Sequence, residues 1–301
     1  MRRARRLSWA LPLALALTAA SEPQLLLREQ VWTADSATLA RDLIGAPGEC
    51  LATLTPEIEA GRALFRSPVL LGGPAARAGL SCHACHENGR VNAHFLLPEL
   101  TDRAGAADVT SEWSSRVRGD GRLNPLDIPD LAGVAQRTVL GRDRDPSLEH
   151  FVHGVIVEEF QGPEPPDAAL RSLIAYLRAL DSGACIEGAP VTLSSAADDV
   201  RRAVAAAEAM EDAATASLVL ASAQDAIGRI AERLPARRFA RERSTLAQLS
   251  RDLTGMRGDR EALAAAAPGW RARFDAAIAR IAPREHRTYF NEAMLRAALA
   301  R

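Results

Sequence analysis

The sequence predicts an all-α fold built in two parts. A helix begins at Thr55-Pro56-Glu57, where threonine suits the cap position and proline suits the first helical position. Another helix, with a clear apolar face, follows Asp167. Beyond Pro190 the composition shifts to Ala, Arg, Glu and Leu in helical patterns, and 301 residues are enough for two ordinary cores.

Residues 1–20 have the layout of a secretory signal. Four arginines precede the apolar run at 7–17, and small residues at 18–20 follow it. The run is too short to span a bilayer with ease. We therefore expect cleavage after Ala20, export to the periplasm and no membrane contact beyond this signal.

The next segment, 21–49, is predicted to be an N-terminal helical extension. Its later part matches one short helix that ends at Gly45, and we expect it to pack on the domain that follows. Residues 50–188 are the predicted first domain, whose helices flank a turn-rich stretch at 88–145. A long, weakly regular stretch inside a compact domain usually serves a site.

Residues 189–301 are predicted to form a small antiparallel helical bundle. Prolines and glycines divide this segment into four helices, expected at 195–234, 236–256, 269–282 and 284–300. Its sequence shows no grouping of Cys, His and carboxylate residues that would indicate chemistry of its own.

The pentapeptide Cys82-His83-Ala84-Cys85-His86 is the chemical motif of the chain. Cys-x-x-Cys-His is the attachment sequence for haem c, in which the two thiols bond to the porphyrin and the histidine ligates the iron. Two cysteines three apart lie on neighbouring faces of one helical turn, so both reach the same porphyrin edge. The motif therefore predicts one covalent haem c, held by Cys82, Cys85 and His86.

A bare Cys-x-x-Cys has other interpretations, namely a redox dithiol, half a zinc site or two unpaired core cysteines. The histidine after the second cysteine and the export signal favour haem, as does the lack of a second pair with this spacing. Cys50 and Cys185 flank the haem segment. In an oxidising compartment we expect them to form a disulfide, with two separate thiols as the alternative.

The second axial position of the iron has three histidine candidates. All methionines lie outside residues 50–188, which leaves His94, His150 and His153. His153 or His150 is expected on the iron, because both lie on a predicted helix at a suitable separation from the motif. The alternative for each is a surface or structural role, and without any second ligand the iron is open to peroxide, oxygen or nitric oxide.

The charges of the chain argue against binding to nucleic acid. All 37 basic residues are arginine, and the net charge of −1 becomes −5 once the four arginines of the signal are removed. We expect redox proteins as partners instead. Arg116, Arg118 and Arg122 lie in the turn-rich stretch and are expected either to pair with the haem propionates or to be solvated.

Four stretches together resemble one known family. They are the Gly-Arg-Ala-Leu-Phe run at 61–65, the segment 80–86, the Pro-Asp-Leu-Ala-Gly run at 129–133 and the helix at 170–180. Over residues 50–185 the chain is similar to one haem domain of the bacterial cytochrome c peroxidase and methylamine-utilisation maturation (MauG-like) family. The resemblance implies an all-helical cytochrome c fold whose first and last helices cross, with Gly61 at the close contact near Tyr176.

Members of that family usually carry two haem motifs, whereas this chain has one. Its stretch 138–144 also lacks the Met or His often found there. The leading prediction is therefore an exported mono-haem c-type cytochrome that transfers electrons, with an all-α, cytochrome c-like haem domain followed by a small helical bundle. The alternatives are a peroxidase-like oxidoreductase with an open iron, in which a distal His or Glu moves protons, Glu158 and Glu159 being candidates, and a haem-based sensor that docks through its bundle.

Overall fold

The computed structural model describes residues 27–33 and 36–300, which are mostly helical, so the predicted all-α class is confirmed. The secretory signal predicted at 1–20 lies outside the described residues. Within the described ranges, no helix is both long enough and apolar enough to cross a membrane.

In the described part of the chain, six α-helices precede residue 180. They are α1 (Ser36–Ile44), α2 (Pro56–Phe65), α3 (Gly73–Arg77), α4 (Cys82–Cys85), α5 (Leu148–Gly154) and α6 (Asp167–Ala179). The predicted start of α2 is confirmed, because Thr55 Oγ1 accepts the Ile58 N–H at 3.2 Å. At α6, Pro166 is the cap residue and Asp167 is the first helical residue, where its charge favours the positive end of the helix.

The chain between α4 and α5 is irregular, as predicted for the turn-rich stretch. It holds only short 3-10 turns and the strands β2 (Ala106–Ala107) and β3 (Leu126–Asp127), which pair antiparallel. A π-helical turn at Val155–Glu159 extends α5 directly. Hydrogen bonds outside regular elements, both between backbone groups and to side chains, therefore hold this stretch.

The two ends of segment 50–188 are joined to each other. Strand β1 (Gly45–Ala46) pairs antiparallel with β4 (Ala189–Pro190). The predicted disulfide between Cys50 and Cys185 is confirmed. The strand pair and the disulfide thus hold the two ends of this segment together. The domain boundary predicted after residue 188 stays a prediction.

Five further α-helices follow. They are α7 (Leu193–Ala209), α8 (Ala213–Glu232), α9 (Ala240–Met256), α10 (Arg260–Ile281) and α11 (Glu292–Leu299). The prediction of one unbroken helix over 195–234 is wrong, because the chain turns at Met210. Asp212 then caps α8 by accepting the Thr215 N–H at 2.7 Å.

The break predicted at Pro268 is also wrong, since this proline lies inside α10. A proline in a helix interior costs about 3 kcal/mol. Helix α10 nevertheless buries Trp270 and Phe274 completely, and the burial of two large aromatic side chains outweighs that cost. The last helix begins at Glu292 instead of residue 284, because Ala282–Arg287 forms a 3-10 helix.

One buried apolar cluster, the main core, runs through both predicted parts of the molecule. It includes Leu64 of α2 and Leu173 of α6 together with Val204, Leu220 and Trp270 of the bundle helices. Helix α2 packs against α6 on one side and against α7 on the other. The bundle therefore shares its interior with the segment that carries the motif.

Helices α2 and α6 meet at Gly61. A Cβ atom added to this residue would lie 1.9 Å from the carbonyl oxygen of Ser172 and 2.9 Å from Cβ of Tyr176. Only a hydrogen at this position lets the two helices approach so closely. The contact of Gly61 near Tyr176, which the family resemblance implied, is confirmed.

Two smaller clusters involve the N-terminal extension. Leu27, Leu39 and Leu43 pack with Leu295 of α11. Trp32 belongs to a separate cluster, here called the second core, made of Trp32, Leu71, Ala75, Leu80, Ala84, Phe95, Leu97, Leu100 and Ile128. The extension therefore contacts the bundle as well as the segment it was expected to pack on.

Candidate haem site

The two cysteines of the motif are free thiols on the short helix α4, and both are half-buried. Leu80 and Ala84 are buried in the second core and fix this helix on the protein. Cys82 packs on the main core, whereas Cys85 packs on the second core. The thiols thus lie where the two cores meet.

His86 directly follows α4, and its side chain forms one hydrogen bond within the described residues. Its Nδ1 lies 3.0 Å from the carbonyl oxygen of Pro129. Because a carbonyl only accepts, Nδ1 carries the proton, and Nε2 of the neutral ring keeps a free lone pair. Burial lowers the pKa of His86 to about 4, so the ring is neutral at physiological pH. Metal-ligating histidines commonly have this arrangement.

The turn after the motif brings Pro129 to His86. Asn88 and Gly89 both adopt left-handed backbone conformations, with φ of 54° and 77°. This tight turn aims the Gly89 carbonyl at the Leu131 N–H, which donates to it at 2.8 Å. The segment 129–131 therefore runs alongside the motif, and the Pro129 carbonyl faces the imidazole.

The environment of the thiols weighs against a redox dithiol. Burial raises the pKa of Cys82 to about 11 and raises the pKa of Cys85 further. Thiol–disulfide exchange proceeds through the thiolate, and redox-active cysteines have lowered pKa values. Both thiols of this motif instead stay protonated at neutral pH.

Half-buried apolar side chains accompany Cys85 on the surface of the second core. They include Trp113 and Phe160, while Leu131 and Val157 are half-buried against the main core. A porphyrin needs apolar surface of this kind next to its attachment points. Two free thiols one helical turn apart, followed by an imidazole with a free Nε2, are also the donor set of haem c. The residues present therefore fit a haem c.

The two histidines predicted as second axial ligand, His153 and His150, each pair with a carboxyl group of the protein. His153 Nε2 donates to Glu164 at 2.8 Å, and 34% of the His153 side chain is exposed. His150 donates through Nδ1 to Asp145 and is largely exposed. Arg41 lies 2.8 Å from Nε2 of His94. The structure thus brings together Cys82, Cys85 and His86, while the assignment of His153 or His150 to the iron stays a prediction.

Glu159 is a buried carboxyl at the end of the π-helical turn, with only 2% of the residue exposed. Arg118 donates to Glu159 and to Glu158, in both cases at 2.7 Å. Burial raises the pKa of Glu159 to about 7 despite this arginine. A carboxyl that titrates near neutral pH suits proton transfer. Phe160, the next residue, packs on the second core as Cys85 does.

Three arginines were predicted to pair with the haem propionates. Among the described residues, only Arg118 of the three forms ion pairs, with Glu158 and Glu159. Arg116 and Arg122 are exposed, and their side chains form no ion pair within the described residues. A contact between these arginines and propionates stays a prediction.

A buried polar network behind the motif was missed by the sequence analysis. The side chain of Asn88 accepts a hydrogen bond from Arg66 and donates to the Pro47 carbonyl at 2.7 Å. Arg66 and Arg62 pair with Asp199 of α7 at 3.0 and 2.6 Å. The Asn-Gly dipeptide at 88–89 is a turn signal that marks this corner, but nothing local in the sequence indicates its partners.

Comparison of the chain with protein-family models, with curated proteins and with solved structures gives no match in any of the three. The family resemblance therefore depends on the residues quoted above. Two contacts now accompany it, namely the close approach of α2 and α6 at Gly61 and the bond from His86 to Pro129 of the 129–133 run.

Proposed function

We propose that this protein is an exported mono-haem c-type cytochrome that transfers electrons through one covalently bound haem. The observation that carries the proposal is the motif helix. Two free thiols lie one turn apart on α4, and the next residue, His86, has its Nδ1 held by the Pro129 carbonyl. This leaves Nε2 as the atom that would bind the iron.

A bound haem c supplies reversible one-electron chemistry at its iron. The protein keeps the His86 ring in one orientation, because the segment that carries Pro129 is itself fixed. Asp130 accepts hydrogen bonds from Arg90 Nε at 2.6 Å and from the Ala132 N–H at 2.8 Å. An imidazole held in this way would need little rearrangement if it ligated a haem iron.

Export to the periplasm is supported by two features. The Cys50–Cys185 disulfide is typical of an oxidising compartment, and residues 1–20 have the pattern of a secretory signal. We propose redox proteins of that compartment as partners, with the electron donor and acceptor both proteins.

The test is covalent haem attachment. Wild-type protein matured with the haem-attachment machinery is expected to carry one haem per chain after denaturation, measured by absorbance in alkaline pyridine. The double variant Cys82→Ser/Cys85→Ser should lose this haem, while the control Cys50→Ser/Cys185→Ser should keep it. A denatured wild-type chain without iron-porphyrin absorbance would refute the proposal.

A second candidate function, a peroxidase-like oxidoreductase, is favoured by one observation. Glu159 is a buried carboxyl whose pKa is raised to about 7, and it lies one residue from Phe160 of the second core. The absorbance of the same preparation separates the two functions. A reduced spectrum that does not respond to carbon monoxide supports the electron carrier. Carbon monoxide binding together with peroxide turnover supports the enzyme.

A further inference from the structure

Two loop segments, 116–124 and 137–144, lie side by side on the surface. Arg142 donates to Asn124 Oδ1 at 2.6 Å, and Arg118 Nη1 lies 3.8 Å from Asp143. These contacts join segments that are distant in sequence into one continuous face. We call this face the arginine surface.

The arginine surface carries more positive than negative charge on a chain whose net charge is −1, although Glu158 borders it and pairs with Arg118. It contains two aspartates, Asp120 and Asp143, and six arginines, namely Arg116, Arg118, Arg122, Arg137, Arg142 and Arg144. Arg116, Arg122 and Arg144 are exposed and form no ion pair with any described residue. Their charge is therefore available to an acidic surface of another molecule.

Exposed apolar side chains stand among these arginines. Val117 is 73% exposed, Leu123 is 53% exposed and Val139 is 39% exposed, while Leu126, at 49%, follows shortly after in sequence. These four make up half of the large apolar side chains that the described part of the chain exposes. Exposed apolar residues surrounded by charge are typical of protein interaction sites.

A buried carboxylate holds the arginine surface in shape. Asp108 is completely buried and accepts hydrogen bonds from the Thr110 N–H at 2.9 Å and the Asn124 N–H at 3.0 Å. Asn124 in turn accepts from Arg142. Because these hydrogen bonds hold both segments at Asn124, a partner that docks there bears less of the entropic cost of ordering them.

The arginine surface also adjoins the candidate haem site at two points. Arg137 donates to the carbonyl of Asp130, the residue after Pro129. Arg118 donates to Glu159, the residue before Phe160. A protein docked on this face therefore lies next to both the segment that orients His86 and the edge of the second core.

We propose that the arginine surface is the docking site for an acidic electron-transfer protein, an inference that rests on the proposed function. Electrostatic attraction brings the acidic partner to the unpaired arginines, and the exposed valines and leucine supply the apolar contact. The charge of the surface defines the partner class, because a basic protein would be repelled.

The test uses an acidic flavodoxin as the probe, with its affinity measured by calorimetry and its rate of electron transfer measured by stopped flow. Charge reversal in Arg116→Glu/Arg122→Glu/Arg144→Glu is expected to weaken binding about tenfold or more at low ionic strength, with little difference at high salt. The variant Val117→Ser/Leu123→Ser should weaken binding by about three- to tenfold at both ionic strengths.

The matched control is Arg237→Glu/Arg238→Glu/Arg241→Glu. It makes the same change in charge at three exposed bundle arginines that form no ion pair within the described residues. Binding within about twofold of wild type is expected for this control. Equal weakening in both triple variants, or wild-type binding that is absent or independent of salt, would overturn the docking site. The two proposals fail in different measurements. Absence of covalent haem from the wild-type chain would overturn the proposed function, whereas the affinity measured by calorimetry tests the docking site.

Discussion

At the scale of single residues, burial and one hydrogen bond set the protonation of the site. The carbonyl of Pro129 fixes the proton of His86 on Nδ1. At Glu159, burial raises the pKa and the bond to Arg118 lowers it. Burial has the larger effect, so the carboxyl stays protonated up to about pH 7. Neighbouring Glu158 is 44% exposed and contacts the same arginine.

Glu159→Gln is predicted to change the pH dependence of stability. The pKa of Glu159 is about 7 in the folded protein against an ordinary value of 4.5, so the folded state holds this proton more tightly. The resulting stabilisation is complete below about pH 4.5 and is lost as the pH rises through 7. Glutamine does not titrate, so the variant does not lose this stabilisation. Its free energy of unfolding relative to that of wild type should therefore rise by up to about 3 kcal/mol between pH 4.5 and 8, measured by urea denaturation.

The control for that prediction is Glu158→Gln, which alters the second carboxylate on Arg118 at an exposed position. Its stability should follow that of wild type across the same pH range. If the free energies of unfolding of Glu159→Gln and wild type changed with pH in parallel, the pKa of Glu159 would not be raised in the folded protein.

At the scale of elements, the crossing of α2 and α6 determines the interior of the segment that carries the motif. The crossing occurs at Gly61, where the carbonyl of Ser172 occupies the space that a Cβ atom would need. Phe65 and Tyr176 pack next to it with ring centroids 5.0 Å apart. The main core around them depends on this close approach.

Gly61→Ala is predicted to destabilise the protein strongly. The added methyl group would lie 1.9 Å from a backbone oxygen, so the two helices must separate. We expect a loss of about 2–3 kcal/mol or more in the free energy of unfolding, measured by urea denaturation.

Gly269→Ala in α10 is the matched control, because a Cβ atom there has nothing within 4 Å. It removes a glycine from a helix without a clash and should stabilise the protein by about 0.5–1 kcal/mol. If Gly61→Ala were as stable as Gly269→Ala, the helices would not touch at Gly61.

At the scale of the whole molecule, the buried ion network joins the motif segment to the bundle. Arg62 binds Glu49 at 2.7 Å and Asp199 of α7 at 2.6 Å. Although burial opposes ionisation, Arg66 and Arg62 hold the pKa of Asp199 well below its ordinary value of 3.8. Together with the shared main core, these bonds make the bundle part of the support of the site.

Asp199→Asn is predicted to destabilise the protein by about 2–4 kcal/mol at pH 7, because it removes one of the two carboxylates that pair with buried Arg62 and half-buried Arg66, the other being Glu49. A carboxylate with a lowered folded pKa stabilises the protein above its unfolded pKa and loses this effect as the pH falls. The difference between wild type and variant in urea denaturation should therefore shrink below about pH 4.

The neighbouring substitution Asp198→Asn is the control. Asp198 is 57% exposed, and among the described residues it forms an ion pair with Arg201 alone, so its loss should cost less than about 1 kcal/mol. An Asp199→Asn protein as stable as this control at pH 7 would mean that the network does not join the two parts.

Features that depend on short spacings could be predicted from the amino-acid sequence. The all-α class, the cap at Thr55, the haem motif on one helical turn and the cysteines available for a disulfide all follow from residues close together or from a simple count. Even among helices the local signals failed where packing outweighed them, since burial of Trp270 and Phe274 carries α10 through Pro268.

The contacts between residues distant in sequence became evident from the folded structure. The Pro129 carbonyl reaches His86 from 43 residues away, Arg118 reaches Glu159 from 41 residues away, and Arg62 reaches Asp199 from 137 residues away. No periodicity encodes such pairs, because each depends on how two cores and several irregular turns pack against one another. The burial that raises the pKa of Glu159, and the alignment of two loops into the arginine surface, arise from the same packing.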